Sequence, residues 1–323
     1  MSNLKVNAEM MKNQTFGVEI EMVGMGPQEC VGIIQEYFNF KYVLTNSVRY
    51  IGNHCGNYQA YDNQGRAWNV MNDASIDSYN GACEMATPIL TYKDIDELQE
   101  IVRLLRSKGA QSSARYTCGV HIHVGINTTD GVNAHTPKSI RNLLNVMNSK
   151  QKLLRNAIGF TRSRNTYCNL VDLNLVNKLN NKKPQTWDEL KDIHYSTLGR
   201  DTSHYSSTRY YMLNLHAIWD KKTIEFRCFE FHKNMHAGEL KAYIQLCLAM
   251  SNYAKLVRYC KPGEIDSVDN EKYAMNSWLK NLGLIGDEFK TARKMLTKRL
   301  SGDTAYRTAR QSNNNLDDLD LAE

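Results

Sequence analysis

Apolar and polar residues alternate most clearly in two segments, residues 15–23 and residues 120–124. Side chains of a strand point to its two faces in turn, so each segment predicts a strand with one apolar and one polar face. The polar faces of the two predicted strands carry four ligand-type residues: Glu19, Glu21, His121 and His123. A polar pair on an exposed sheet face is common. Here the opposite faces are strongly apolar, which favours a shared cleft.

Further periodic segments complete the expected architecture. Strands are predicted at 58–61, 66–71, 209–217 and 222–231, and helices at 28–38, 94–108, 137–159, 236–259, 270–281 and 286–300. Residues 160–208 are polar and aromatic with weak periodicity, apart from a predicted helix at 187–195. This stretch is typical of a loop-rich insertion that forms a lid or a substrate wall.

Three other segments place residues of the same chemical kind at predicted strand ends or strand faces. Asp73 follows one strand, Glu84 opens the next extended segment, and Glu225 shares a face with Arg227. If these faces line one cleft, the carboxylates repel one another unless a cation neutralises them. Oxygen-rich sites with imidazole suit Mg²⁺ or Mn²⁺, and a guanidinium group stabilises a transferring phosphoryl group. The residue types therefore predict metal-assisted phosphate chemistry.

Composition narrows the range of functions. The chain has 323 residues, of which 42% are hydrophobic and 23% charged, with a formal net charge of +6 and an isoelectric point near 8.7. Lys and Arg are scattered rather than clustered, so nucleic-acid binding is not predicted. No apolar run approaches the roughly 20 residues of a membrane span, and the first residues lack a signal core. None of the 8 cysteines lies within four residues of another, which excludes zinc-ribbon and redox-pair spacings. We expect a soluble cytoplasmic protein.

Five motifs in order resemble the amidoligase family, which is related to glutamine synthetase and glutamate–cysteine ligase within the carboxylate–amine ligase superfamily. They are FGVEIE from Phe16, a segment with Trp68, Asp73, Ser75, Gly81, Glu84, Thr87 and Pro88, then GVHIHVG, RYYMLNL and TIEFR. The resemblance runs from about residue 16 to residue 259. Each motif alone is weak, and the ordered set is more specific.

The resemblance implies an α+β fold: a curved, mostly antiparallel sheet, or half-barrel, with helices on its convex face, like the catalytic domain of glutamine synthetase. It implies an ATP-dependent ligase that forms an amide through an acyl phosphate, with Mg²⁺ or Mn²⁺. Partners would be small-molecule or peptide- or protein-linked carboxylates and amines. Residues 1–260 would form the catalytic domain, 261–300 a helical extension and 301–323 a disordered tail. The sequence does not identify the acceptor or the donor.

The resemblance also implies roles for individual residues. Glu21, Asp73 and Glu84 would hold one metal ion, and Glu19, His121 and Glu225 the other. His123, Arg209, Asn214 and Arg227 would bind the nucleotide or its phosphates, and the catalytic residues would be Arg227, Glu225 and His123. In this assignment, Arg227 stabilises the transferring phosphoryl group.

Two other functions stay open on the sequence alone. His121, His123 and a carboxylate have a spacing that permits a catalytic zinc site, so a metal-dependent hydrolase is possible. The crowd of carboxylates argues against it, because such a site needs only about three protein ligands. A non-catalytic binding protein with the same fold is the third alternative.

Overall fold

One eight-stranded antiparallel sheet lies at the centre of the protein, in a computed structural model that describes residues 8–52, 56–73, 75–76, 81–128, 131, 133–160, 167–263 and 269–305. The strands are β1 (Gln14–Val23), β2 (Arg49–Tyr50), β3 (Tyr58–Tyr61), β4 (Ala67–Met71), β5 (Ala82–Ala86), β6 (Val120–Thr128), β7 (Leu213–Asn214) and β8 (Thr223–Phe229). Their order across the sheet is β2-β3-β4-β5-β1-β6-β8-β7. The sheet is curved and does not close, which confirms the predicted half-barrel.

Helices pack on the apolar face of this sheet and on one another. They are α1 (Pro27–Tyr42), α2 (Ile95–Ser107), α3 (Pro137–Ile158), α4 (Leu173–Lys182), α5 (Trp187–Leu198), α6 (Ala217–Asp220), α7 (Ala237–Leu256), α8 (Glu271–Asn281) and α9 (Lys290–Thr297). Helix α1 packs on β3 and β4, and α7 packs on β1 and β6. The other face of the central strands is therefore left for polar side chains. Within the described residues, no helix is both long enough and apolar enough to span a lipid bilayer.

The apolar face of β1 is buried as its alternation predicts. Phe16, Val18, Ile20 and Met22 are each at most 2% exposed and belong to the main hydrophobic core. Burying side chains of this size contributes on the order of 2 kcal/mol each. A register slip of one residue would exchange this face with the polar one, so the core fixes which side chains face the cleft.

Two predicted elements differ from the structure. In the segment 209–217 only Leu213–Asn214 joins the sheet, because the backbone before it bonds elsewhere: Asn169 N donates to Tyr210 O, and Met212 N donates to Asn169 O. The insertion at 160–208 also contains two helices, α4 and α5, rather than one. The sequence of α4, LNLVNKLNNK, is mostly polar, and its few buried apolar residues form too short a pattern to predict a helix.

The C-terminal part of the described chain packs against the rest. Helix α9 contacts α7, and residues of α8 and α9 belong to the main core. The predicted disordered tail at 301–323 falls mostly outside the described residues, which end at residue 305. The proposed division into domains stays a prediction.

Candidate active site

Strand register brings the predicted polar residues to one side of the sheet. Strand β1 lies between β5 and β6, so Glu19 pairs with His121 and Glu21 pairs with Glu84. Strand β8 lies beside β6 and pairs Glu225 with His123. These side chains all belong to the face opposite the helices. The polar faces predicted for the separate strands thus lie side by side in the sheet and form one surface rich in acidic residues.

The ligand-type atoms of this surface form two clusters. We call Glu19, His123 and Glu225 cluster 1, and Glu21, Asp73 and Glu84 cluster 2. Within each cluster the ligand-type atoms lie within 4.8 Å of one another. Both triads could hold a cation.

In cluster 1, the imidazole of His123 presents one nitrogen to two carboxylates. Nε2 lies 3.2 Å from Glu19 Oε1 and 3.9 Å from Glu225 Oε1, is buried, and forms no hydrogen bond with any described residue. The other nitrogen, Nδ1, lies 2.9 Å from Thr223 Oγ1. If Nδ1 donates its proton to Thr223, the lone pair of Nε2 faces the carboxylates. Three electron-pair donors then lie within 4.8 Å of one another, an arrangement that fits a divalent cation.

His121 lies between the two clusters. Its Nδ1 is 3.2 Å from Glu19 Oε2 and 3.6 Å from Glu225 Oε1, and its Nε2 is 3.7 Å from Glu21 Oε1. The side chain is buried. The resemblance implies His121 as the imidazole ligand beside Glu19 and Glu225, whereas the triad in the structure contains His123. His121 instead bridges carboxylates of both clusters.

Fixed cations accompany cluster 1. Arg227 Nη1 donates to Glu225 Oε1 at 2.6 Å, and Lys221 Nζ donates to Glu19 Oε1 at 2.9 Å. Burial alone would raise the pKa of Glu225, but the charge of Arg227, and after it the neighbouring His123, lowers that pKa to about 2. Burial likewise opposes ionisation of Glu19, and His123, His121 and Lys221 nevertheless hold its pKa well below the usual range. Cluster 1 is therefore charged at neutral pH.

Cluster 2 has a different electrostatic balance. Burial raises the pKa of Glu84 well above its usual value, and the charges of Glu19, Glu21 and Asp73 raise it further. Among the described residues, no Lys or Arg forms an ion pair with a member of cluster 2. Glu21 also accepts a hydrogen bond from the Gly119 amide at 2.5 Å. An acidic triad of oxygen ligands that lacks an ion pair with any described Lys or Arg fits Mg²⁺ or Mn²⁺.

Asn214 and Arg209 have different positions relative to cluster 1. Asn214 is opposite Glu225 in the β7–β8 pair and donates to its Oε2 at 2.5 Å, so it helps to fix that carboxylate. The guanidinium carbon of Arg209 lies 5.1 Å from the ring centroid of Tyr210, and that of Arg227 lies 5.9 Å from the same ring. The ring of Tyr210 thus lies near both guanidinium groups. Among the described residues, Arg209 forms no ion pair with either cluster.

Two residues of the site escaped the sequence analysis. Thr223 stands on the same face of β8 as Glu225 and Arg227, so strand parity alone could have indicated it. Lys221 lies in the turn before β8, where nothing in the sequence distinguishes it from a solvated lysine.

Comparison with known proteins identifies the family of this chain. A family model described as "Putative amidoligase enzyme" matches residues 12–251, roughly three quarters of the chain. No curated protein matches the chain. The matched range contains both clusters, Arg227 and all eight strands. The chain therefore belongs to the amidoligase family.

Proposed function

We propose that this amidoligase is an ATP-dependent ligase that joins a carboxylate to an amine through an acyl phosphate. The observation that carries the proposal is the pair of triads on one sheet face, with Arg227 held against Glu225 beside them. Two triads rich in carboxylates and one guanidinium group match the needs of a polyphosphate substrate better than those of a simple hydrolytic site.

The ligand sets are consistent with two divalent ions, Mg²⁺ or Mn²⁺. Glu19, His123 and Glu225 would hold one, and cluster 2 the other. The buried Nε2 of His123, without a hydrogen bond among the described residues, supports this assignment. Bound ions would neutralise phosphate charge and orient the nucleotide. The zinc hydrolase alternative needs both imidazoles in one ligand set, and neither described triad contains both.

The chain's own residues would act on the transferring phosphoryl group. An oxygen of the substrate carboxylate attacks the γ-phosphorus of ATP, the bond from that phosphorus to the bridging oxygen breaks, and ADP leaves. Arg227 would donate hydrogen bonds to the phosphoryl oxygens, where charge is greatest in the transition state. The burial of Arg227 disfavours its charged form, but the charges of Glu225 and Glu19 raise its pKa, so the guanidinium group keeps its charge.

The second half-reaction joins the two substrates. The amine nitrogen attacks the acyl carbon, the bond from that carbon to the phosphate oxygen breaks, and the nitrogen loses a proton. Inorganic phosphate and the amide are the products. We propose small-molecule or peptide- or protein-linked carboxylates and amines as the substrates, as the resemblance implies.

Isotope transfer tests the acyl phosphate directly. A panel of carboxylates is screened with Mg²⁺-ATP and hydroxylamine, which converts an acyl phosphate to a hydroxamate. For any carboxylate that responds, a sample labelled with ¹⁸O in the carboxyl group should transfer one ¹⁸O to inorganic phosphate. Glu225→Gln should abolish ADP formation. Absence of Mg²⁺-ATP binding to the wild type in isothermal titration, or amide formation without nucleotide cleavage, would remove the proposal.

A further inference from the structure

A pocket of about 350 Å³ adjoins cluster 1 on the polar face of the sheet. Glu19 and His123 line it, and so do Lys221 and Lys222 in the turn before β8. Ligand pockets in proteins span about 300–1,000 Å³, so this one suits a small ligand or one part of a larger ligand. Its position next to cluster 1 means that a ligand bound in it would reach the metal-binding residues.

Two glycines on the polar face of the sheet line this pocket. Gly17 lies two residues before Glu19 on β1, and Gly125 lies two residues after His123 on β6, so each glycine shares a strand face with a residue of cluster 1. A Cβ atom added at Gly17 would approach no atom closer than 3.9 Å, whereas one at Gly125 would lie 2.4 Å from Thr15 Oγ1. A Cβ atom is therefore accommodated at position 17 but not at position 125. Position 17 lies opposite His123, so a side chain there would occupy space beside both the pocket and cluster 1.

Lys222 has an unusual backbone at the rim of this pocket. Its φ is 58°, in the left-handed region that glycine and asparagine adopt far more readily than lysine. Its carbonyl oxygen accepts a hydrogen bond from Ile126 N at 3.2 Å, so the turn is tied to β6. The backbone alone would favour glycine here.

The two lysines of the pocket differ in what they already bind. Lys221 is paired with Glu19, while the ammonium group of Lys222 forms no hydrogen bond or ion pair with any described residue. Lys222 is exposed to solvent. It is thus the lysine that can give its charge to a ligand.

We propose that the pocket binds a small oxyanion-bearing ligand, with a carboxylate or phosphate group on Lys222 and the rest of the ligand directed toward Glu19 and His123. This deepens the proposed function, because the ligand would be one of its substrates. A carboxylate would belong to the acyl donor or to the amine substrate, and a phosphate to the nucleotide. The chemistry that Lys222 recognises is the same in each case.

Two probes separate these sources without requiring ligase activity. Inorganic pyrophosphate stands for the nucleotide phosphates, and glutarate stands for a carboxylate substrate. Binding of each is measured by isothermal titration and by thermal shift in the presence of MgCl₂. The variants are Lys222→Gly, which also relieves the left-handed backbone, Lys222→Arg, which keeps the charge, and Gly17→Val, which fills the pocket.

Lys183 provides a matched control. It is also an exposed lysine with a left-handed backbone, φ 49°, at the end of α4 and away from the pocket lining. We expect Lys222→Gly and Lys183→Gly both to raise the melting temperature of the free protein. Only Lys222→Gly and Gly17→Val should weaken binding of a probe, by about tenfold or more, the loss typical for a hydrogen bond to a charged group. Lys222→Arg should retain most of the affinity.

The outcomes distinguish this proposal from the ligase itself. If wild type binds neither probe, or if Lys222→Gly and Gly17→Val bind both probes as wild type does, the pocket proposal is overturned, whatever the result with Mg²⁺-ATP. If probe binding depends on Lys222 and Gly17 but ATP is not cleaved with any substrate, the pocket proposal stands and the ligase proposal fails. If the variants lose affinity for pyrophosphate alone, the pocket binds the nucleotide. If they lose affinity for glutarate alone, it binds a carboxylate substrate.

Discussion

Cluster 2 should destabilise the metal-free protein and should bind a cation. The variant Glu84→Gln tests both effects. Three carboxylates have oxygen atoms within 4.8 Å of one another there, and the pKa of Glu84 is raised by burial and by the charges of Glu19, Glu21 and Asp73. Two full charges at that distance repel by about 3 kcal/mol at an effective dielectric constant of about 20. The raised pKa of Glu84 means that uptake of a proton by this carboxylate would relieve some of the repulsion. We therefore expect a net cost on the order of 1–2 kcal/mol in the metal-free protein.

Glutamine keeps the shape of Glu84 and removes its charge. The variant should unfold at a temperature about 2–4 °C higher than wild type in the presence of a chelator. Addition of Mg²⁺ should reverse the order. A site filled at 100 times its Kd stabilises the folded state by about 2.7 kcal/mol, and the variant should lose most of that gain at cluster 2.

The assay is thermal unfolding followed by circular dichroism across a titration with MgCl₂. Glu36→Gln, which removes an exposed carboxylate from α1, is the control and should change neither the metal-free melting temperature nor the response to Mg²⁺. The reasoning is refuted if Glu84→Gln destabilises the metal-free protein or if it retains the full Mg²⁺ response.

Three further predictions concern the rest of the site and the core. Arg227→Ala should lower kcat for ATP-dependent turnover about 100-fold and spare nucleotide binding, measured by steady-state kinetics and titration calorimetry, and a rise in KM alone would contradict its role. Thr223→Val removes the partner of His123 Nδ1, so divalent-ion affinity at cluster 1 should fall about 10–100-fold in calorimetry, with Thr223→Ser restoring it. Burial lowers the pKa of both His135 and His194 to about 3, whereas the unfolded chain titrates near 6.5. The unfolded state therefore gains protons first as the pH falls, and each histidine should remove about 2 kcal/mol of stability between pH 7 and pH 5 in urea denaturation. His135→Gln should lessen that decrease, and an unchanged pH profile would show that His135 titrates alike in both states.

The sequence indicated which residues share the polar strand faces better than it indicated how those faces are arranged. Strand parity is a local property, so the polar faces carrying Glu19, His123 and Glu225 could be predicted from alternation alone. Their convergence depends on β1 lying between β5 and β6, and β6 beside β8, which is a matter of long-range pairing. The resemblance to a family implied a half-barrel and a grouping of these residues around two ions, but it gave no strand order. The charges that hold each carboxylate ionised or raise its pKa follow only from the distances in the folded chain.

Segments with unusual local structure were the hardest to predict. Helix α4 buries Leu175, Val176 and Leu179 in an otherwise polar sequence, so its apolar stripe is too narrow to stand out. The turn before β8 places Lys222 in a left-handed conformation, and a lysine gives no sequence signal for such a backbone. Both features depend on tertiary contacts: α4 packs on α3, and the Lys222 carbonyl group bonds to β6.

Strand register determines which of the two histidines belongs to cluster 1, and the residue types alone do not indicate this. On β6, His121 stands opposite Glu19, and His123 stands opposite Gly17. Because Gly17 has no side chain, the space in front of His123 is open, and Glu19 Oε1 can approach its Nε2 diagonally to 3.2 Å. Glu225, directly opposite His123 on β8, completes the triad from the other side. The same glycine therefore makes room both for the triad of cluster 1 and for the pocket beside it, so a side chain at position 17 should block a ligand that reaches the triad from that side.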